Sequence, residues 1–375
     1  NVEVITNPGA SYAADVKSVI RIRTKPPKGD GFSGILRSDN GFQHYFRTGN
    51  SLDLKYRTGG LEIFANYGWW RGNTRFDRLN DMNTTTSKGT YRQFVSTIGK
   101  ESYNDMTGKL GFSYMINDRH SIGAYYQNSW NRHNTDGTIP SEIWQDGILL
   151  DLYNSDVHNQ STAVPRHYAN IYYNGIVGKL NIDFNADYIW YKSRDLTFNN
   201  ELSEMSNDRE VNTSSINRNR MFAEKLVMTY PLWKGQIEIG EEYTNTRTTN
   251  LFSANIPETP NADNRVDENN IAVFAELGQQ FGRFMIGAGL RYEHVKFNYY
   301  EMGLLRDGQS KTYNNIFPSL NIATQVGKVR MGLNYTGKTI RPGYGQLDGA
   351  ISYINRLTYE TGNPYLKPTK LQTVE

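Results

Sequence analysis

Between Leu180 and Trp190 every second residue is apolar. Leu180, Ile182, Phe184, Ala186, Tyr188 and Trp190 alternate with Asn181, Asp183, Asn185, Asp187 and Ile189. Alternate side chains of a β-strand point to opposite faces, so this run has one oily face and one mostly polar face. Its length is close to the roughly 9–11 tilted residues with which a strand crosses a bilayer. Its oily face ends in Tyr188 and Trp190, side chains that favour the membrane–water boundary. A half-buried strand of a soluble sandwich shows the same alternation, so the reading turns on whether the run is repeated.

It is repeated. Ser51–Thr58 sets Leu52, Leu54 and Tyr56 against Asp53, Lys55 and Arg57. Leu61–Trp70 sets Leu61, Ile63, Ala65, Tyr67 and Trp69 against Glu62, Phe64, Asn66 and Gly68. Asp105–Ile116, His120–Trp130, Phe284–Tyr292 and Val329–Tyr335 obey the same rule, and Met221–Tyr230 does so less cleanly, with Glu224 on its more apolar side. The connections alternate in length. Short ones fall at Thr58-Gly59-Gly60, Asn117-Asp118-Arg119, Gly178-Lys179, Pro231–Gly235, Gln280–Arg283 and Gly327-Lys328. Long polar ones fall near Leu79–Glu101, Asn134–Pro165, Asn199–Ile216, Ser253–Asn269, Glu301–Tyr313 and Arg341–Leu366. Tight turns at one end and extended loops at the other are the habit of outer-membrane barrels.

The aromatics assign a direction. A strand leaving a short turn runs outward and should collect its girdle residues toward its C-terminal end. Tyr67 and Trp69, Tyr126 and Trp130, Tyr188 and Trp190, Tyr243, Tyr292 and Tyr335 are placed that way. The pattern predicts an all-β transmembrane antiparallel barrel of about fourteen strands in this chain, in a bacterial outer membrane. The last strand begins near Lys367 and is short when the chain reaches Val374-Glu375. Since an open edge is not viable in lipid, the chain is expected to be part of a longer barrel. The opening Asn1-Val2-Glu3-Val4-Ile5 reads as a strand and not as a signal peptide, so an exported protein would carry more sequence before it.

Composition agrees without adding detail. Of 375 residues, 41 are Lys or Arg and 38 Asp or Glu, a balance that does not suggest a nucleic-acid partner. There are 26 Tyr and no Cys, which excludes disulfides and thiolate metal sites. Mean hydropathy is −0.66, and no apolar run reaches the roughly 18 residues of a membrane helix. A β-barrel gives such values because only alternate residues face lipid. No catalytic constellation is visible. The six histidines, His44, His120, His133, His158, His167 and His294, lack metal-ligand spacing, so no metal and no cofactor is expected. Glu241-Glu242 are adjacent on a strand and face opposite sides, so they do not form an acid/base pair.

Residues 1–28 differ from the rest. Val2–Ile5 and Val19–Thr24 are short strands, separated by the Asn7-Pro8-Gly9 turn and ended by Pro26-Pro27. The stretch Val2–Thr24, VEVITNPGASYAADVKSVIRIRT, resembles the end of the plug domain in TonB-dependent outer-membrane receptors, particularly those of Bacteroidetes-type bacteria. Leu290–Glu293 (LRYE), Phe317–Asn321 (FPSLN), Leu333–Pro342 (LNYTGKTIRP) and Gly362–Pro368 (GNPYLKP) resemble barrel segments of that family in the same order. Asp15-Val16-Lys17 departs from the family, standing where a Gly-rich segment is usual.

The resemblance implies a barrel of about 22 strands filled by an N-terminal plug. It divides the chain into the end of a plug (1–28) and an incomplete barrel (29–375). It implies solute import driven through TonB, which would engage a box N-terminal to this sequence. The partners implied are outer-membrane lipid, TonB, and a surface lipoprotein lid or other outer-membrane subunits. Plug arginines are expected to meet wall carboxylates, here Arg21 and Arg23 against Glu62, Glu242, Glu276 and Glu293, with Glu238 and Arg291 on the same luminal face. Trp144 and Tyr153, in the longest expected loop, are candidates for ligand contact. Chelated iron, a cobalamin-like cofactor, a glycan or a peptide all fit such a site. Three other readings stay open: a scaffold or assembly component built on the same barrel, a passive channel, and a soluble all-β binding protein.

Overall fold

The computed structural model describes residues 2–5, 8–22, 29–356 and 358–375. The chain opens with a two-stranded antiparallel sheet, β1 (Val2–Ile5) against β2 (Val19–Ile22), which shares no ladder with the other strands. Thr24 and Arg23, expected in the second strand, lie outside the described residues.

A large sheet then takes in β3 (Gly31–Phe42), β4 (Phe46–Thr58), β5 (Leu61–Thr86), β6 (Gly89–Asn117), β7 (His120–Gln145), β8 (Ile148–Val177) and β9 (Leu180–Ser203). It continues with β10 (Arg209–Leu232), β11 (Gly235–Ala254), β12 (Ala262–Phe281), β13 (Phe284–Glu301), the two-residue β14 (Leu304–Leu305), β15 (Lys311–Val326) and β16 (Val329–Ile340). A one-turn helix α1 (Tyr344–Leu347) comes next, then a hairpin of β17 (Ile351–Asn355) and β18 (Thr358–Thr361). The last strand, β19 (Thr369–Val374), returns to pair with β16. Chain order is sheet order from β3 through β13, β15, β16 and β19, and β14 extends only from β13. That path holds the fourteen strands the alternation predicts.

The short turns stand where the sequence places them. At Gly178 the chain takes φ +61°, a conformation free of strain only without a Cβ, and β9 starts two residues later. The expected long loops are different. Leu79–Glu101 and Asn134–Pro165 are not loops but continuous ladder. β5 and β6 pair from Leu61↔Tyr114 to Thr86↔Gly89. β7 and β8 meet in a two-residue turn at Asp146-Gly147, with φ 49° and 86°, the geometry a type I′ hairpin demands. Polar composition is a poor guide here, because a strand whose outward face stands beyond the hydrocarbon needs no apolar alternation. Met302-Gly303 closes a second such turn, between β13 and β14.

The faces of the strands are inverted relative to a soluble protein. On β13, Leu290 is 52% exposed, whereas Arg291 and Glu293 are 1% and 0% exposed. Ile171, Ile239, Ile271, Val273 and Leu333 are exposed on the same side as Leu290. Transferring that much apolar surface to water would be unfavourable at about 25 cal/mol per Å². The arrangement is stable only where the outward solvent is lipid. The nine aromatics Tyr67, Trp69, Tyr126, Trp130, Tyr188, Trp190, Tyr243, Tyr292 and Tyr335 share the outward parity, roughly six to ten residues beyond the short turns. Some are tied together by polar groups. Tyr126 Oη meets His167 Nδ1 at 2.6 Å, and the His167 ring lies 5.0 Å from Trp190.

The inner side of the sheet is covered at two levels. Residues 8–16 lie against β10–β16. The connection from β16 to β19 crosses higher up. Gly349 N–H donates to Tyr299 Oη on β13, while Asn355 accepts from Gln93 on β6. Asp348 of the same connection also meets β11 and β12 and, eight residues on, Arg356 meets β8 and β9. The inner faces of strands from β6 to β13 thus turn toward one short segment, and the sheet curves around it.

The parity of the strand from Leu180 to Trp190 makes a direct test. Phe184 stands outward between Tyr173 and Leu226, while Asn185 stands inward and accepts from Asn170 Nδ2 at 2.9 Å. Phe184→Arg is expected to cost about 2–4 kcal/mol in refolding into lipid vesicles followed by urea titration. Asn185→Arg, beside Asp187, should cost well under half of that; equal costs would contradict the assigned faces.

Candidate functional site

The lower site is a charged cluster on the inner wall. Inward parity on β11 and β13 presents Glu242, Arg291 and Glu293, and β10 presents Lys225 opposite Glu242. Arg291 Nε donates to Glu293 Oε1 at 2.6 Å, and its Nη2 to Glu242 Oε2 at 3.3 Å. Arg341, just beyond β16, donates to the second oxygen of Glu293. Lys225 Nζ stands 3.9 Å from Glu242. Ions this deep are retained only because each finds partners, since breaking a buried pair costs several kcal/mol.

Residues 8–16 rest on this cluster mainly through backbone atoms. Lys225 Nζ donates to the Ser11 carbonyl, and Lys338 Nζ to the Val16 carbonyl at 3.1 Å. Ala14 N–H donates to Glu293 Oε1 at 3.4 Å, and the Ala14 carbonyl accepts from Thr339 N–H at 3.0 Å. Glu276 accepts from the backbone N–H groups of Ala10 and Ser11, and a side chain on Gly9 would collide with its carboxylate.

Of the residues singled out in the sequence, Glu242, Glu276 and Glu293 are together on the inner wall. Glu242 and Glu293 are held by Arg291, Arg341 and Lys225, and Glu276 by the backbone of residues 10 and 11. Arg21 donates to Tyr12 Oη at 2.8 Å. Arg23 lies outside the described residues. Glu62 is far along the sheet, paired with Arg57 and with Lys55 at 3.9 Å on the adjacent strand. Trp144 and Tyr153 are strand residues of β7 and β8, not loop residues. Trp144 Nε1 donates to Glu142 at 3.0 Å. Tyr153, expected at the surface, is 5% exposed, because Arg356 lies over its ring at 5.1 Å.

That arginine belongs to an upper cluster the sequence did not reveal. Arg356, between β17 and β18, donates through Nε to Glu201 Oε2 at 2.8 Å and stands 3.5 Å from Asp151. Tyr353 Oη donates to Glu201 Oε1 at 2.5 Å, and Asn199 Nδ2 to the same oxygen at 3.0 Å. Glu201 is fully buried. Burial, and then the bond to Glu201, push the Tyr353 phenol up from its ordinary value. At the helix end of the same connection, Asp348 accepts from Asn264 Nδ2 at 2.6 Å and from Asn250. Gly362 of the GNPYLKP stretch packs directly on the carbonyls of Gln346 and Asp348, leaving no room for a Cβ. The signal available in the sequence was only parity: Asp151 and Glu201 are inward positions of strands whose polar composition reads as loop.

A third polar group lies on the inner face of β6 and β7. His133 meets Glu101 at 3.2 Å and Asp105 at 2.9 Å. Burial lowers its pKa, but the two carboxylates more than offset this and hold it above the ordinary imidazole value. Among the described residues no group of three or more His, Asp or Glu side chains is arranged to hold a metal ion.

The inverted strand faces, the antiparallel order and the charged inner wall define an outer-membrane β-barrel protein. The sequence pattern of the outer membrane protein beta-barrel family matches residues 177–375, more than half of the chain, and the chain belongs to that family in the bacterial outer membrane. Solved structures similar to it include BauA, the ferric preacinetobactin receptor from Acinetobacter baumannii. Identity is 11%, with 100% of this chain and 77% of that one covered, at a TM-score of 0.30. The ferric-catecholate import receptor Fiu from E. coli K12 is 9% identical over 90% of this chain and 74% of that one, with a TM-score of 0.30. The outer membrane protease OmpT from Escherichia coli is 13% identical over 80% of this chain and 98% of that one, with a TM-score of 0.24. No curated protein sequence matches.

Two outcomes are expected. Glu201→Ala, which leaves Arg356 buried without its main partner, should lower the local opening free energy of residues 344–361 by about 3–5 kcal/mol. Amide hydrogen exchange would read this, and unchanged protection would exclude the upper cluster as the clamp. In an NMR titration His133 should retain its proton to higher pH than a free imidazole, whose value is about 6.5. Its raised value makes its contribution to stability full below about pH 6.5 and lost as pH rises through the folded value. Asp105→Asn should move the titration downward.

Proposed function

We propose that the protein is a receptor of the TonB-dependent type, importing a solute through its barrel when the N-terminal segment rearranges. Residues 1–28 are then the end of a plug and residues 29–375 barrel wall, with TonB acting on sequence N-terminal to residue 1. One observation carries the reading. Glu242, Glu293, Arg291 and Arg341 satisfy one another, and residues 8–16 are held on the wall through backbone carbonyls and N–H groups. Withdrawing the segment leaves Glu242, Glu293, Arg291 and Arg341 still paired. Opening the lumen therefore leaves this set of four ions intact, and Glu276 exchanges its backbone partners at residues 10 and 11 for water. The connection between β16 and β19 closes the outer side and is the part a solute meets, with Tyr353, Arg356 and Asp348 on it.

Residues 1–375 contain no cysteine, so an introduced pair has no competing thiol among them. Ser11→Cys with Lys225→Cys, bridged by a short bis-maleimide, should hold the segment on the wall. In planar bilayers the full-length protein should be closed, a form lacking residues 1–28 should conduct, and the bridged form should stay closed. In cells, loss of the protein and loss of TonB should abolish growth on the same nutrient. A deletion that conducts no more than the intact protein, or a nutrient requirement indifferent to TonB, would defeat the reading.

A further inference from the structure

Beyond the aromatic girdle the outward face changes character. At the parity of Tyr188 and Trp190, β9 carries Lys192 and Arg194. At the parity of Phe222, β10 carries Arg220 and Arg218. β11 adds Arg247 and β13 adds Lys296, on the side of Tyr243 and Tyr292. Five of these cations form one patch across the neighbouring strands β9, β10 and β11, and Lys296 stands two strands further on, across Asn269 of β12. Arg220 is registered with Trp190 on one side and with Arg247 on the other, and Arg218 with Lys192.

Like charges placed opposite each other on one face of an antiparallel ladder repel. Little inside the protein offsets this. Asp267 pairs with Arg247 at 2.6 Å and with Arg265 at 3.5 Å. Among the described residues Lys192, Arg194, Arg218, Arg220 and Lys296 make no ion pair, and Arg194, Arg218, Arg220 and Lys296 are exposed. The patch points away from the lumen, so an imported solute does not meet it.

Its depth identifies the occupant. A residue rises about 3.3 Å along a strand tilted by about 40°, so the patch begins at Trp190 and ends within about 10 Å of it. The polar layer of a bilayer adds about 5–7 Å beyond the hydrocarbon on each side. Lys192 and the cations at its level, about 5 Å beyond Trp190, are thus continuous with the lipid-facing surface and level with headgroups, with Arg194 at their outer edge. A soluble partner would first have to displace lipid there. Guanidinium groups offer paired donors that match phosphate oxygens. We propose that this collar on β9–β13 binds the phosphate groups of a phosphorylated glycolipid in the outer leaflet, and that the bound lipid relieves the repulsion between Arg220 and Arg247 and between Arg218 and Lys192.

The experiment uses the purified full-length protein in detergent, with diphosphorylated lipid A, its dephosphorylated form, and inorganic phosphate as probes. Binding is read by native mass spectrometry and by the rise in unfolding temperature. The wild type should bind the diphosphorylated lipid at least about tenfold more tightly than the dephosphorylated one, given the contribution of each basic residue at an anionic surface. The triple variant Lys192→Gln, Arg218→Gln, Arg220→Gln should lose that preference and still bind the dephosphorylated lipid as before. Equal binding of the two lipids by the wild type overturns the proposal without reference to any variant. So does an unchanged preference in the triple variant, or full competition by inorganic phosphate at the concentration of the lipid.

Discussion

A strand in hydrocarbon can place its backbone N–H and C=O groups only on its neighbours. The rest of this structure depends on that constraint. From β3 to β13 it makes each strand pair antiparallel with the next in sequence, through tight turns such as Gly178-Lys179. It also frees the side chains to be sorted by solvent, with Leu290 and Ile271 outward, and Arg291 and Glu293 inward. The ladder continues well past the bilayer. β8 has 30 residues where about 9–11 cross, so the same hydrogen bonds that satisfy lipid also build a wall standing in water.

Inside that wall the electrostatics are arranged in self-contained sets. Arg291, Glu293, Glu242 and Arg341 close on one another, and Arg356, Glu201 and Asp151 do the same at a higher level. The two sets differ in what they hold. The lower one supports residues 8–16 through backbone contacts that can be exchanged. The upper one grips its loop by a buried arginine, whose release leaves a carboxylate without its cation.

The outer surface carries its own order. Apolar positions give way to Tyr and Trp, and these give way to Lys192, Arg194, Arg218 and Arg220 with no break in parity. Three solvents, hydrocarbon, interface and headgroup, are thus written along single strands at every second residue.

Much of this was legible in the sequence, for a local reason. A period of two is a property of consecutive residues, so the alternation from Leu180 to Trp190 and its repeats determined the strands, their faces and a path of fourteen. The LNYTGKTIRP and GNPYLKP stretches pointed to a family. Where the alternation stopped, the reading failed. Thr74–Thr86 and Asn134–Gln145 are strand, but their outward faces stand clear of the hydrocarbon, so they have no apolar alternation to show, even where Ser141 and Ile143 are buried inward. The charged sets were decided by tertiary structure alone. Glu201 meets Arg356 across 155 positions of sequence and Ala14 meets Glu293 across 279, and those separations are closed only when the sheet curves. Parity could tell which side Glu293 faces; only the curved sheet brings Arg341 and residues 8–16 to that side to meet it.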